Sequence, residues 1–313
     1  MVLYLEMETS DLDILCCPSD KSDLIITKEK ATCSLCHQVY SIKNNIFTGL
    51  PHLSDATKLS VEKWDKLYEK EQDPKKYQEE QKKYLKLHYP DVHRQVNQEK
   101  KIKNIVYLEI GCGPAFFGQE IAKSCKLVIG IDFSKNALRI AKQMFDRRGI
   151  TNYLLIHGDI LHLPIKKDTV DLIYGGGVIE HFTETQQCVD ELYRVLKPSG
   201  VSFNTVPYLN LGSLTYRQVW GNIPNVPILK QLAELIHIKF LKSKHMIFGY
   251  EMSFLASTLK KIHGKAGFKK VSVTKFEVYL VFDFLPPLIR RPFIWLAKNS
   301  RLFWPMVKVV AQK

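Results

Sequence analysis

The sequence predicts an α/β protein, a doubly wound and mostly parallel sheet with a small β-rich module ahead of it. Three observations lead there. From Lys103 onward, apolar runs of strand length alternate with longer amphipathic runs, the rhythm of right-handed βαβ units. Near the start of that stretch a strand runs through two glycines into a helix, Val106-Tyr-Leu-Glu-Ile-Gly-Cys-Gly-Pro-Ala115. Residues 1–54 differ, with short strand-like runs set between closely spaced cysteines.

Composition narrows the classes. The chain has 313 residues, 45% apolar and 25% charged, which is globular and suggests about two domains of ~150 residues. Its longest apolar stretches, such as Val278 to Ile289, are interrupted by Asp283 and Pro286-Pro287 and fall short of the ~18 residues of a membrane span. Met1 to Asp13 carries four acidic residues and no basic one, unlike a secretory leader, so the expected location is cytoplasmic. Seven cysteines, four of them at positions 16, 17, 33 and 36, argue for metal or inert thiols over a disulfide framework. Residues 197–313 hold 18 Lys/Arg against 4 Asp/Glu, a surplus of 14, so residues 1–196 balance near −1 of the total +13. That basic third calls for an anionic partner: nucleic acid, a phosphate-bearing molecule or an acidic membrane face.

Taken in order, residues 1–54 form the β-rich module, with strands at Leu24–Thr27 and Gln38–Ile42. Residues 55–103 are a polar helical cap whose stripe is Trp64, Leu67, Tyr68, Tyr77, Tyr84, Leu85 and Leu87, broken at Pro74 and Pro90. Residues 104–285 form the main domain. Strands fall at Ile105–Ile110, Leu127–Ile131, Tyr153–Ile156, Val170–Tyr174 and Val201–Val206, and helices at Phe116–Ser124 and Ser134–Arg148, the latter ended by Gly149. Thr183 with Gln186 makes a capping box for a helix striped by Val189, Leu192, Tyr193 and Leu196. An insertion, residues 208–250, carries an apolar helix at Pro227–Phe240. A helix at Ser253–His263 and β-like segments at Lys270–Lys275 and Glu277–Phe282 follow. Residues 286–313 are a basic aromatic segment.

The glycine turn carries the chemistry. Gly111 and Gly113 permit a tight turn and close approach of a ligand to backbone N–H groups. A dinucleotide fingerprint would want a third glycine at 116, where Phe116 stands, and would not want a carboxylate beside its pyrophosphate. Glu109 lies two residues before the first glycine, which suits a cationic ligand. Asp132, ending the second strand, offers two acceptor oxygens to the vicinal hydroxyls of a ribose, and Asp159, ending the third, one to an adenine amine. The three acids describe a cationic adenosine derivative.

These segments resemble the class I S-adenosylmethionine-dependent methyltransferases over roughly Lys103 to Phe282. The matching pieces are Leu108-Glu-Ile-Gly-Cys-Gly-Pro, Gly130-Ile-Asp-Phe-Ser134, Gly158-Asp-Ile-Leu-His-Leu-Pro164, Thr169-Val-Asp-Leu-Ile-Tyr174, Val178-Ile-Glu-His-Phe182 and Leu192-Tyr-Arg-Val-Leu-Lys-Pro-Ser-Gly200. The resemblance implies a Rossmann-like sheet of seven strands. It also implies that Glu109, Gly111, Cys112 and Gly113 hold the methionine end of S-adenosylmethionine, Asp132 and Phe133 the ribose, and Asp159 and Ile160 the adenine, with Gly175 beside them. Ala115 stands where the family often has another glycine. Glu180-His181 follows the fourth strand, where His181 either orders the loop or acts as a general base; methyl transfer often needs only in-line positioning.

In the N-terminal module, Cys16-Cys-Pro-Ser-Asp20 and Cys33-Ser-Leu-Cys-His37 resemble a zinc-ribbon-like module with one sulfur missing. Cys17, Asp20, Cys33 and Cys36 are the candidate ligands, with Cys16 or His37 as substitutes, and a zinc site and a metal-free knuckle both stand open. The segment Leu288–Lys308 mixes Phe293, Trp295, Phe303 and Trp304 with five cations and no acid. It suits a membrane interface, an RNA surface or a helix packed on the core. The acceptor readings are a small-molecule or lipid-linked substrate, anionic or met at a peripheral membrane surface; RNA; or, in a different class, a non-catalytic cofactor-binding partner. Gly175-Gly-Gly177 replaces the Asn/Asp-Pro-Pro-Tyr pattern of amino-directed base methylation.

Overall fold

The computed structural model describes residues 12–50, 55–70 (backbone alone at 55–59 and 70), 103–276 and 285–313, with 78, 79, 81–83, 85, 86, 90, 92–94 and 282. Pro74, Tyr77, Tyr84, Leu87 and all of the expected strand Glu277–Phe282 except its last residue lie outside the described residues. The N-terminal module has strands β1 (Leu24–Ile26), β2 (Lys30–Cys33), β3 (Val39–Lys43) and β4 (Ile46–Gly49), followed by helix α1 (Asp55–Lys70). The main domain begins with β5 (Ile105–Ile110), α2 (Phe116–Ile121), β6 (Cys125–Asp132), α3 (Lys135–Arg147), β7 (Tyr153–Gly158), β8 (Val170–Gly176), α4 (Thr185–Val195) and β9 (Leu196–Pro207). After it come β10 (Ile223–Pro224), α5 (Pro227–Glu234), β11 (Met252–Ser253), α6 (Ala256–Ala266), β12 (Lys270–Phe276), α7 (Pro287–Asn299) and β13 (Met306–Gln312). A wider helical turn, Leu235–Phe240, extends α5.

One sheet of eleven strands runs through the molecule in the order β1-β2-β3-β4-β7-β6-β5-β8-β9-β13-β12. Its seven-stranded part is the expected doubly wound sheet: β7 to β9 pair in parallel and β13 and β12 close it antiparallel. Every residue of β5 is buried, as a central parallel strand with helices on both faces requires. Ser134 caps α3 by accepting the Ala137 N–H at 3.1 Å, and Gly149 ends the turn after it at φ 64°. Chain order reverses between β6 and β8 on either side of β5, so the crevice at their carboxyl ends is the ligand position of this topology.

The N-terminal strands continue the main sheet. β4 pairs in parallel with β7, Phe47 opposite Ile156, and Phe47 is fully buried, worth roughly 2–3 kcal/mol as a core aromatic. Lys21 adds a 2.9 Å ion pair to Glu191 of α4 and a bond to the Leu163 carbonyl.

Several local expectations change. The seventh strand is Met306–Gln312, out of the basic aromatic segment, with Val307, Val309 and Ala311 in the core. Thr183 does not cap α4: its hydroxyl donates to the carboxylate of Glu184, the cap residue, which makes no side-chain bond to the helix N–H groups, Thr185 donates to the Phe182 carbonyl, and Gln186 reaches Asp190 and the Ile262 carbonyl. Leu196 already begins β9, so no loop follows the helix. Helix α6 starts three residues late because Met252 and Ser253 pair with Ile223 and Pro224. In α7, Ala297 is buried and Phe293 and Ile294 pack toward Tyr216 and Trp220, while Trp295 stays exposed. Among the described residues, no helix is long and apolar enough to cross a membrane.

Candidate active site

A cavity of about 260 Å³ opens at the carboxyl ends of β5, β6 and β8. Gly111 to Pro114 form its floor, Asp132 and Phe133 one side, and Gly176 to Val178 with His181 and Phe182 the other. Gly111 and Gly113 adopt φ 53° and 50°, which only glycine takes without strain. A Cβ on Gly111 would stand 2.7 Å from a Val178 methyl, and one on Gly113 2.7 Å from the Tyr68 hydroxyl. Ala115 also takes a left-handed conformation, φ 55°, at the start of α2.

The carboxylates are tied to the turns around them. Glu109 accepts the Gly118 N–H at 2.7 Å and the Tyr107 hydroxyl at 3.4 Å, so it fixes the start of α2 as well as lining the cavity. Asp132 accepts the Gly113 N–H at 2.9 Å on one oxygen and the Ser134 N–H at 2.8 Å on the other. That joins the ends of β5 and β6. Burial pushes Glu109 up to about 8 and Asp132 up to about 6, since a charge in low dielectric is disfavoured. A cation entering the cavity would draw both back to the ionised form.

The expected site residues Glu109, Gly111, Cys112, Gly113, Asp132, Phe133 and His181 meet in this cavity, whereas Asp159, Ile160 and Gly175 lie outside its lining. Asp159 accepts the Leu161 N–H at 2.9 Å and caps the turn after β7. Ile160 is in the core, and Gly175 faces Asn204 and Ile110, where a Cβ would meet the Asn204 amide oxygen at 2.4 Å. Burial holds His181 neutral. Its Nδ1 lies 2.6 Å from the Tyr250 carbonyl, which can only accept, so Nδ1 carries a proton, and the Gly177 carbonyl is a second backbone acceptor for the ring.

Trp64 and Tyr68 complete the lining from α1. They stack on each other with centroids 6.3 Å apart, and Trp64 meets His181 edge-on and Phe248 in a stack, each at 6.3 Å. Their four-residue spacing is visible as a helical stripe; which surface that stripe covers depends on contacts far along the chain. Asp65, between them, accepts the Ser134 hydroxyl at 2.6 Å and the Asn136 side-chain amide at 3.2 Å. Lys63 donates to the Ser243 carbonyl at 3.0 Å and to that of Met246. The polar side of α1 thereby ties its aromatic side over the cavity.

In the N-terminal module the ligand atoms of Cys17, Asp20, Cys33 and Cys36 all lie within 4.8 Å of one another. The Cys17 and Cys36 sulfurs are 3.7 Å apart, and Cys33 Sγ is 3.4 Å from Asp20 Oδ2. Tetrahedral zinc with bonds of about 2.3 Å to sulfur and 2.0 Å to oxygen needs edges of about 3.8 and 3.5 Å, so the four groups fit that ion. The Leu35 and Cys36 N–H groups lie 3.3 and 3.1 Å from Cys33 Sγ, donors that suit a thiolate. Cys16 and His37 stand outside the cluster.

The methyltransferase-domain family matches residues 101–252. Residues 101–252 are a class I S-adenosylmethionine-dependent methyltransferase domain. Among its relatives, the demethylmenaquinone methyltransferase of Geobacillus stearothermophilus is 31% identical over 115 residues, covering 36% of this chain and 48% of that protein. The malonyl-[acyl-carrier protein] O-methyltransferase of Yersinia pestis is 28% identical over 148 residues, 47% of this chain and 53% of that one. The chain spans about half the length of these curated relatives. A solved complex of a Haloferax volcanii methyltransferase activator with a chain described as a methyltransferase superposes with a TM-score of 0.52 at 14% identity, over 80% of this chain and 96% of that one, a likeness of fold. The two carboxylates and all of the cavity lining except Trp64 and Tyr68 lie within the matched segment.

Proposed function

We propose that this protein transfers a methyl group from S-adenosylmethionine to a small-molecule or lipid-linked acceptor, and that the cavity above β5, β6 and β8 binds the cofactor. The observation that carries this is the pairing of two buried carboxylates, Glu109 and Asp132, with a glycine floor and aromatic walls. Such a lining suits a cationic adenosine derivative better than a phosphate ester. When bound, the cofactor supplies an electrophilic methyl group. Glu109 and the Gly111–Gly113 turn would hold the amino-acid end and Asp132 with Phe133 the ribose. Asp159, with Ile160, would act through the turn that it caps, and Gly175 through the close strand approach that it permits.

Catalysis in this reading is orientation and exclusion of water by Trp64, Tyr68 and Phe182, with His181 positioned by the Tyr250 carbonyl to face the acceptor. His181 would order the loop after β8 through its bond to the Tyr250 carbonyl, and would serve as a general base only for an acceptor that must lose a proton. Relatives named for quinone and acyl-carrier substrates support a small or lipid-linked acceptor. Cys17, Asp20, Cys33 and Cys36 would hold one structural zinc ion.

Calorimetric titration with S-adenosylmethionine tests the cofactor reading. Micromolar binding lost in Asp132→Ala and Glu109→Ala, with both variants folded by circular dichroism, is the expected result. No binding by the intact chain, or undiminished binding by the variants, overturns it.

A further inference from the structure

The insertion after β9 carries an apolar surface that the methyltransferase reading leaves unused. Ala233 and His237 are the buried residues of α5 and its extension. The opposite face presents Ile228, Leu232, Leu235, Ile236 and Phe240 to solvent, with Ile228 79% and Phe240 72% exposed. Residues spaced by three and four share a helix face, and a helix on a globular surface normally turns polar residues outward there. Other exposed leucines lie elsewhere on the surface. Leu211 and Leu214 are exposed, and the Gly212 N–H bonds to the carbonyl of Leu302, itself exposed.

Charge selects the occupant. Lys230, Lys239, Lys242 and Lys244 stand in the same stretch, and Glu234 is the single acid between residues 198 and 250. That carboxylate accepts the Tyr250 hydroxyl at 2.7 Å and pairs with Lys230 at 4.0 Å, which leaves Lys239, Lys242 and Lys244, all exposed, as the uncompensated cations. A second copy would bring the same cations against these, a repulsive pairing for a two-fold interface. RNA would take the lysines and leave Ile228 and Phe240 in water. A bilayer with anionic headgroups satisfies both, the side chains entering the acyl boundary and the lysines meeting phosphates.

We infer that the insertion, through the outer face of residues 228–240 and its lysines, docks this protein on an anionic lipid surface beside the mouth of the cavity. The chain leaving this helix ties the two together: Ser243 and Met246 give their carbonyls to Lys63, and Phe248 stacks on Trp64 over the cavity. A lipid-linked acceptor would then pass from bilayer to cavity without crossing water. The inference rests on the proposed acceptor class for its purpose, and its measurement needs no methyl transfer.

The test is co-sedimentation of the full chain with vesicles of phosphatidylcholine alone or mixed with phosphatidylglycerol. Binding is expected to the mixed vesicles only, and an Ile228→Ser, Leu232→Ser, Phe240→Ser variant should bind at least about tenfold more weakly with its cofactor titration unchanged. Failure of the intact chain to sediment, or equal sedimentation of the variant, overturns the inference. Self-association of the lipid-free intact chain that the variant lacks does so too, by assigning the face to a second copy. Vesicle binding without any cofactor binding would remove the proposed activity and leave the docking surface standing.

Discussion

The Asp65 carboxylate accepts the Ser134 hydroxyl at 2.6 Å, and the Ser134 N–H in turn donates to Asp132 at 2.8 Å. A residue of the covering helix and a carboxylate of the cavity are thus two hydrogen bonds apart. Asp65→Ala should loosen α1 without emptying the core, because the Asp65 side chain is half-buried and Ser134 keeps its cap bond to Ala137. The expected cost is about 1 kcal/mol, roughly fivefold to tenfold in cofactor affinity. Faster hydrogen exchange across residues 60–69, with little change at β5, would mark the helix as the part that moved.

Gly113 and Tyr68 form a second pair across the cavity. Alanine at 113 meets two penalties, a left-handed backbone at φ 50° and a Tyr68 hydroxyl 2.7 Å from its Cβ. The first costs about 1–2 kcal/mol and remains whatever stands opposite. The second vanishes with the hydroxyl oxygen. Gly113→Ala should therefore weaken cofactor binding strongly, and adding Tyr68→Phe should restore part of it. A double-mutant cycle by calorimetry checks this, and strict additivity would mean that the two residues do not meet.

The raised carboxylates set a pH dependence. Asp132 moves from 3.8 to about 6 and Glu109 from 4.5 to about 8. A folded-state value above the unfolded one means that the folded chain binds more protons between the two. Stability without ligand should fall as pH rises from about 4 to about 8. Affinity for a cation runs the other way. S-adenosylmethionine binding should strengthen over the same interval relative to S-adenosylhomocysteine, a zwitterion that lacks the sulfonium charge. Glu109→Gln, whose amide oxygen can still accept the Gly118 N–H, should flatten both trends, read from melting curves and paired titrations between pH 5 and 8.

Local signals disclosed the parallel strands, because each is a short apolar run bounded by turn residues, and they disclosed Glu109 and Asp132, because a carboxylate at a strand end beside glycines is a local pattern. What they did not disclose is set by distant pairing. Val309 becomes a core strand residue only by lying opposite Asn204, about a hundred positions earlier, and the neighbouring Trp304 and Arg301 drew the segment toward an interfacial reading. Trp64 and Tyr68 read as part of a helical cap over the strand ends, but not as the two residues that line the cavity, since the Asp65 and Lys63 bonds that orient them end on residues 134, 136, 243 and 246. Thr183 matched a capping pattern, but its hydroxyl donates to the Glu184 carboxylate at 2.5 Å and the helix starts one residue later, with Glu184 in the cap position.

Three thiols and one carboxylate converge within 4.8 Å of one another, and Asp20 is held in place by the Ser22 hydroxyl and N–H at 2.5 and 2.9 Å. The purified chain should release about one equivalent of zinc on thiol modification, measured with a colorimetric indicator. Asp20→Cys supplies a fourth soft ligand and should slow that release, while Cys33→Ser should abolish it. Loss of the ion should reach beyond the knuckle. Strand β4 pairs with β7 and Phe47 packs in the shared core, so chelation should lower the melting temperature of the whole chain in one transition. A separate early transition, with the main domain unmoved, would show that the module folds apart from the sheet that it extends, and an intact chain carrying no zinc would make the cluster a metal-free knuckle.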